Sequence, residues 1–309
     1  MRITLLTALF GLILFASACT QTENKGTIPS GERMQVVTTT SILKDAAQHI
    51  VGDLSDVSSI MGSGVDPHLY KATQGDLQKL TDADVIVYNG LFLEGKMGEI
   101  MDKLSRQKTV VTATAGISKD KLRASPVYEN SSDPHVWFDV QLWQEVVKHV
   151  SQELQQKDPA NAEAYEKNTQ AYLEELDTLH QWVKEQINTI PEQQRILITA
   201  HDAFGYFGDA YSIKVRGLQG ISTVSEFGLQ DVSSLVNYIA DNKIKAVFVE
   251  SSVSPKAIEA VVIGSKQKGH AVKVGGTLFS DALGEEGTPE GTYIGMVRHN
   301  VNTIVSSLK

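Results

Sequence analysis

The sequence predicts an α/β protein with two parallel-sheet lobes, and three observations carry that expectation. Short β-branched runs fall into two sets of four. Helical patterns lie between most of them, and apolar strands that alternate with helices indicate parallel sheets covered on both faces. Between the two sets runs one long amphipathic helix pattern. The expected architecture is two four-stranded parallel sheets joined by a long, rigid helix.

The elements follow in order along the chain. Met1-Arg2 is a minimal basic start, and residues 3–15 form a nearly unbroken apolar run. At about 13 residues this run is too short to span a membrane and reads as the core of a secretory signal peptide over residues 1–18. Ala16-Ser17-Ala18 lead into Cys19, the one cysteine of the chain, so an intrachain disulfide is impossible. The arrangement resembles a bacterial lipobox, with Ala16 where Leu is usual, and implies lipidation at Cys19. Residues 19–33 are polar with Gly and Pro, as a flexible tether would be.

The first lobe is expected over 34–157, with strands at 35–40, 57–61, 85–88 and 109–113. A helix over 140–156 follows from Trp143, Val146, Val147, Val150 and Leu154 at helical spacing, with Asp139 as its cap. The linking helix is expected over 158–191. Asp158 would cap it and Pro159 would occupy its first position. Tyr165, Tyr172, Leu176, Leu179, Val183, Ile187 and Ile190 form its buried face, and Pro191 ends it. About 31 residues at 1.5 Å each give roughly 46 Å, enough to brace both lobes and resist hinge closure. The second lobe, 192–309, has strand runs at 195–200, 213–218, 245–250 and 271–275.

Composition narrows the function. The chain of 309 residues is 41% hydrophobic, which is ordinary for a two-domain globular protein. Its formal net charge of −9 excludes nucleic acid as a partner, since no basic stripe is present.

The chemistry concentrates at four positions. Asp-Pro-His occurs twice, as Asp66-Pro67-His68 and Asp133-Pro134-His135. His201 directly follows the apolar run 196–200, and Asp281 closes the Gly-rich segment after the eighth strand. Ligands of open α/β sheets collect beyond the carboxyl ends of strands. Three imidazoles and a carboxylate placed there are the ingredients of a first-row metal site between the lobes. Each position also has a plainer reading, as a surface or helix-capping residue. His49, His149, His180, His270 and His299 lack a supporting motif or lie on helix patterns, and read as structural or exposed. Glu250, at the end of the seventh strand, and Asp202 could each accept a hydrogen bond from a ligating histidine. Glu250 fits equally well as the cap of the following turn, and Asp202 as a helix cap.

The competing function is a secreted zinc-dependent hydrolase. A catalytic zinc keeps a position open for water, whereas four protein donors would close the site. No His-Glu-x-x-His segment and no Gly-x-Ser-x-Gly elbow occurs in the sequence.

Four segments carry a family resemblance: Val65-Asp66-Pro67-His68; Ser132-Asp133-Pro134-His135-Val136-Trp137; residues 199–207, Thr-Ala-His-Asp-Ala-Phe-Gly-Tyr-Phe; and residues 276–282, Gly-Thr-Leu-Phe-Ser-Asp-Ala. Together they resemble the zinc/manganese solute-binding lipoproteins of ABC transporters, in particular the TroA-like branch. The resemblance runs from about residue 34 to the end. It implies two Rossmann-like lobes with the metal between them and ligands at His68, His135, His201 and Asp281. It also implies a monomer, lipid-anchored on the outer side of the cell membrane, that passes Zn²⁺ or Mn²⁺ to a membrane permease and is not an enzyme. Many manganese-dedicated members carry Glu in place of His201, and many zinc-dedicated members carry a His-rich loop that 71–132 lacks. The chain thus falls between the two subgroups.

Overall fold

The structure is a computed structural model that describes residues 32–125, 131–225 and 227–309; the signal-peptide and Cys19 readings lie outside these residues. Strand β1 (Met34–Thr38) leads into helix α1 (Ser41–Val51), whose first turn is held by Thr40 Oγ1 accepting the Leu43 N–H at 3.3 Å. Ile42, Ala46 and Ile50 repeat at four-residue spacing and bury one face of α1. Gly52, at φ 55°, then lets the chain turn back into β2 (Ser55–Ser59). Helix α2 (Gln74–Asp82) opens with a Thr73–Asp76 capping box, and β3 (Val85–Tyr88), α3 (Gly98–Leu104) and β4 (Thr109–Thr112) follow. The four strands form one parallel sheet in the order β2-β1-β3-β4. The order reverses direction beside β1, the place where doubly wound sheets open a crevice.

Helix α4 (Val140–Lys157) starts where the sequence places it, with Asp139 Oδ1 accepting the Gln141 N–H at 2.9 Å. The long helix α5 begins later than expected, at Ala162, and runs to Asn188. Its 27 residues correspond to about 40 Å. Asp158 does not cap it. The Asp158 N–H instead closes α4 on Leu154 O at 2.9 Å, and its carboxylate accepts the Tyr165 hydroxyl and the Asn161 amide, each at 2.7 Å. Those two partners hold the α4–α5 turn outside helical geometry, and Asn161 takes the cap position.

In the second half come β5 (Ile196–His201), α6 (Gly205–Tyr211), β6 (Lys214–Gln219), α7 (Leu229–Asp241), β7 (Ala246–Glu250), α8 (Lys256–Gln267), β8 (Lys273–Leu278) and α9 (Tyr293–Leu308). The expected second four-stranded sheet appears as two parallel ladders, β5–β6 and β7–β8, with β5 and β7 side by side. Gly217 of β6 permits the close approach of the β5 end: a Cβ there would lie 2.5 Å from the Asp202 backbone nitrogen.

Helix α5 packs against α1 and α4 of the first half and against α6 and α9 of the second. One continuous apolar core therefore runs through both halves, from Val36 and Trp143 through Tyr172 and Leu176 to Phe248, Tyr293 and Ile304. No helix among the described residues is long and apolar enough to cross a membrane.

Candidate metal centre

His68, His135, His201 and Asp281 converge on one point, with a potential ligand atom from each within 4.8 Å of all the others. All four are buried, His68 at 4% relative exposure and the other three at 1% or less. His68 and His135 arrive from the first half on the loops after β2 and β4. His201 is the last residue of β5, and Asp281 lies in the loop after β8.

The doubled tripeptide explains how two of these imidazoles are delivered. In each copy the Asp carboxylate accepts the backbone N–H of the His two residues on, at 2.9 Å for Asp66–His68 and 3.0 Å for Asp133–His135. Proline fixes φ between them, so each copy makes a rigid turn that projects its histidine. Above the second turn, the Asn89 amide donates to Pro134 O at 3.1 Å.

The rings are oriented differently. His135 Nδ1 donates to Asp133 Oδ1 at 2.7 Å, and His201 Nδ1 donates to Glu250 Oε2 at 2.5 Å. Glu250 also accepts the His201 backbone N–H at 2.8 Å. Both carboxylates hold a ring proton on Nδ1 and turn Nε2 toward the centre, where an arriving metal would displace any proton it carries. Glu250 thus fills the role weighed for it, while Asp202 neither contacts His201 in this way nor caps α6, whose cap position is Phe204. Asp133 was not foreseen in that role. Its signal was present in the tripeptide, because an Asp two residues before a His can reach both the backbone and the ring.

Asp281 faces all three imidazoles. Its Oδ1 lies 3.6 Å from His135 Nε2, and its Oδ2 lies 3.4 Å from His201 Nε2 and 3.7 Å from His68 Nε2. The two Nε2 atoms of His68 and His135 are 3.3 Å apart. The separations of 3.3–3.7 Å, within an overall bound of 4.8 Å, leave a gap of one ion's size. A first-row cation bound at about 2.0–2.2 Å to nitrogen and oxygen would draw these donors together. Both Asp281 oxygens and His201 Nε2 are buried without a hydrogen-bond partner. An unpaired buried carboxylate is costly, and a divalent cation at the point of convergence would satisfy all these atoms together.

Electrostatics agree with that fit. Burial would raise Asp281, but the His201 ring and then His135 and His68 outweigh it and hold the carboxyl below its ordinary range. Burial depresses the His68 pKa to about 3, against the pull of Asp281, so its ring is neutral. At His201 burial acts downward too, yet the Glu250 and Asp281 carboxylates prevail and push it well above 6.5.

The other histidines stay away from the centre. His180 Nδ1 pairs with the Tyr211 hydroxyl at 3.1 Å, and His49 stacks on Tyr172 with ring centroids 4.1 Å apart. His270 and His299 bond the carbonyls of Ile244 and Thr277. His149 packs beside Gly116. Trp137, part of the second motif, donates its indole N–H to Ser280 O at 2.9 Å and so ties the Asp281 loop to the first half.

The model of the zinc-uptake complex component A periplasmic family matches residues 36–307. The manganese-binding lipoprotein MntA of Bacillus subtilis is 52% identical over 279 residues, 90% of either chain. The zinc-binding protein TroA of Treponema pallidum is 46% identical over 273 residues, 88% of either chain. A solved structure of the periplasmic zinc-binding protein TroA superposes with a TM-score of 0.88 at 45% identity, covering 90% of this chain and 99% of that one.

Proposed function

The chain belongs to this zinc-uptake component A family, and from that premise we propose that it is the extracytoplasmic solute-binding protein of an ABC importer. It captures a divalent transition metal, Zn²⁺ or Mn²⁺, between its two halves and delivers it to a membrane permease. Its relatives bind manganese in one case and zinc in another. The observation that carries the reading is the convergence of His68, His135, His201 and Asp281 around two otherwise unpaired carboxylate oxygens. These four residues are the ligands.

The donor set suits both metals. Three imidazoles and one Asp oxygen make a four-coordinate site suited to zinc. Asp281 presents Oδ1 to one side and Oδ2 to the other, and binding through both would raise the coordination number in favour of manganese. Four buried protein donors suit holding and handing over an ion better than activating a water, which needs an open position. The 34–157 and 192–309 segments act as the two lobes and α5 as the brace between them. Titration calorimetry of the metal-stripped protein with Zn²⁺ and then Mn²⁺ tests the reading. One site per chain is expected, and its absence for both metals would refute it.

The N-terminal segment acts as an export signal, and Cys19 carries a lipid anchor. The support is the short apolar run before the single cysteine, together with the lipoprotein relative. A diacylated end supplies the two chains that stable anchoring needs. Cys19→Ala should move the protein from the membrane to the soluble fraction with metal binding intact. Retention on the membrane after a salt wash would contradict the anchor.

A further inference from the structure

Three of the four converging side chains are immobilised by partners near them. His135 and His201 each have a carboxylate on Nδ1, and the Asp281 loop is tied at Ser280 by Trp137 and at Leu283 N–H by Ser41 Oγ, at 3.0 Å. His68 differs. No carboxylate among the described residues holds its Nδ1; its ring is the most exposed of the four, and it lines a cleft of about 610 Å³ that also touches Phe92 and Val224. What fixes His68 is its backbone turn on Asp66.

That turn is itself held from the other half of the protein. Asp66 uses Oδ1 for the His68 N–H, and its Oδ2 accepts the hydroxyl of Thr223 at 2.6 Å, across 157 positions of chain. Thr223 lies in the loop after β6 and is buried, at 9% exposure. The loop is stapled by Gln219, whose side-chain amide donates to Thr223 O at 2.7 Å and Ser225 O at 2.6 Å. Gln219 is in turn the ladder partner of His201. A chain of contacts thus runs from His201 through the β5–β6 ladder and Gln219 to Thr223, then to Asp66 and His68.

We propose that Thr223 is a positioning residue: its hydrogen bond to Asp66 is a clasp between the halves that holds His68 in place and sets how fast the metal leaves. The proposal rests on His68 being a ligand. With the clasp closed, His68 cannot swing into the adjoining cleft, and the ion stays enclosed. With it open, the one ligand lacking a carboxylate behind its ring is released first, and the other three donors are unmoved.

The test measures zinc dissociation from the full chain into excess chelator by stopped flow. Thr223→Val keeps the shape and removes the hydroxyl, and Thr223→Ala gives a second route to the same loss. Losing one hydrogen bond to a charged acceptor should speed release about tenfold in both. Thr223→Ser retains the hydroxyl and should restore the slow rate. The metal-free Thr223→Val protein should lose only the few degrees of melting temperature that one hydrogen bond is worth. Its zinc association rate should stay at the wild-type value, which a general loosening of the fold would not give. Wild-type release rates in Thr223→Val and Thr223→Ala would overturn the proposal, and so would equal acceleration in Thr223→Ser. His68→Ala separates the two ideas: if it binds zinc like wild type, the ligand assignment fails. If it weakens binding while the Thr223 variants release at the wild-type rate, only the clasp fails.

Discussion

The two Asp-Pro-His segments share three residues and a turn, yet the fold puts them to different use. At Asp133 the carboxylate oxygen that takes the His135 backbone N–H also takes the ring Nδ1, and its other oxygen lies 3.6 Å from Arg123 Nε. His135 is fully buried, and backbone and ring are held by one carboxylate. At Asp66 the ring is left free of that carboxylate, and the second oxygen goes to Thr223 in the other half. Both turns are tied to the second half, but differently: Asp133 through its backbone carbonyl, which accepts the Tyr206 hydroxyl at 2.9 Å, and Asp66 through the very carboxylate that holds its histidine. Local sequence builds the turn; the packing around it decides whether the side chain is locked.

The largest expected effect separates the two histidines. His135→Ala removes a donor whose ordering cost is already met, and should weaken Zn²⁺ binding about a hundredfold. His68→Ala should cost about tenfold, or ~1.4 kcal/mol. His201→Ala and Asp281→Ala should resemble His135→Ala, because those side chains are equally buried. Calorimetry on stripped variants decides, and equal losses at His68 and His135 would erase the distinction.

A subtler break targets the carboxylates. Asp133→Asn leaves a backbone acceptor but weakens the partner on the His135 ring, and about tenfold lower zinc affinity is expected. Asp66→Asn should change equilibrium affinity only a few-fold, since Asp66 does not touch a ring nitrogen. The reverse order would show that backbone positioning matters more than ring orientation.

Acidity supplies a third contrast. Metal must displace any proton held on a ligand. In the metal-free protein His201, raised well above 6.5, carries a proton at neutral pH, whereas His68, depressed to about 3, carries none. Apparent affinity should therefore rise with pH through the neutral range, by about tenfold per unit for one displaced proton. Calorimetry at pH 7 in buffers of differing ionisation enthalpy should detect proton release on zinc binding, because His201 must give up its proton. Zero release would contradict the raised His201.

The smallest effect serves as the baseline. His149→Ala and His180→Ala should leave metal binding unchanged. Losing the His180–Tyr211 hydrogen bond should cost about 1 kcal/mol of stability, visible in denaturant titration. Weakened binding in either variant would mean that the centre extends beyond its four donors.

Much of this was legible in the sequence. The runs at β1, β3, β5 and β7 lie within a few positions of the observed strands, because burial on both faces of a parallel sheet leaves a near-continuous apolar signal there. The Trp143 helix and its Asp139 cap follow from spacing and cap chemistry alone. Less legible was the start of α5, where Asp158-Pro159 has the local form of a cap but Tyr165 and Asn161 claim the carboxylate. The second half gave eight-strand periodicity its final four runs without saying that they would form two ladders, since pairing depends on contacts between distant segments.

The sequence by itself determined the kinds of donor and where they enter: two proline-fixed turns, a strand end and a Gly-rich loop, each specified by residues adjacent in the chain. Only the tertiary structure decided which partner each donor would have. Glu250 reaches His201 across 49 positions and Thr223 reaches Asp66 across 157. Hydrogen bonds of that kind form between side chains that have no neighbourhood in sequence: the first depends on β5 and β7 lying side by side, the second on the two halves meeting at the centre. Backbone turns are set by local dihedral preferences, which a sequence displays openly; the pairing of buried polar groups is set by which surfaces the folded core brings together.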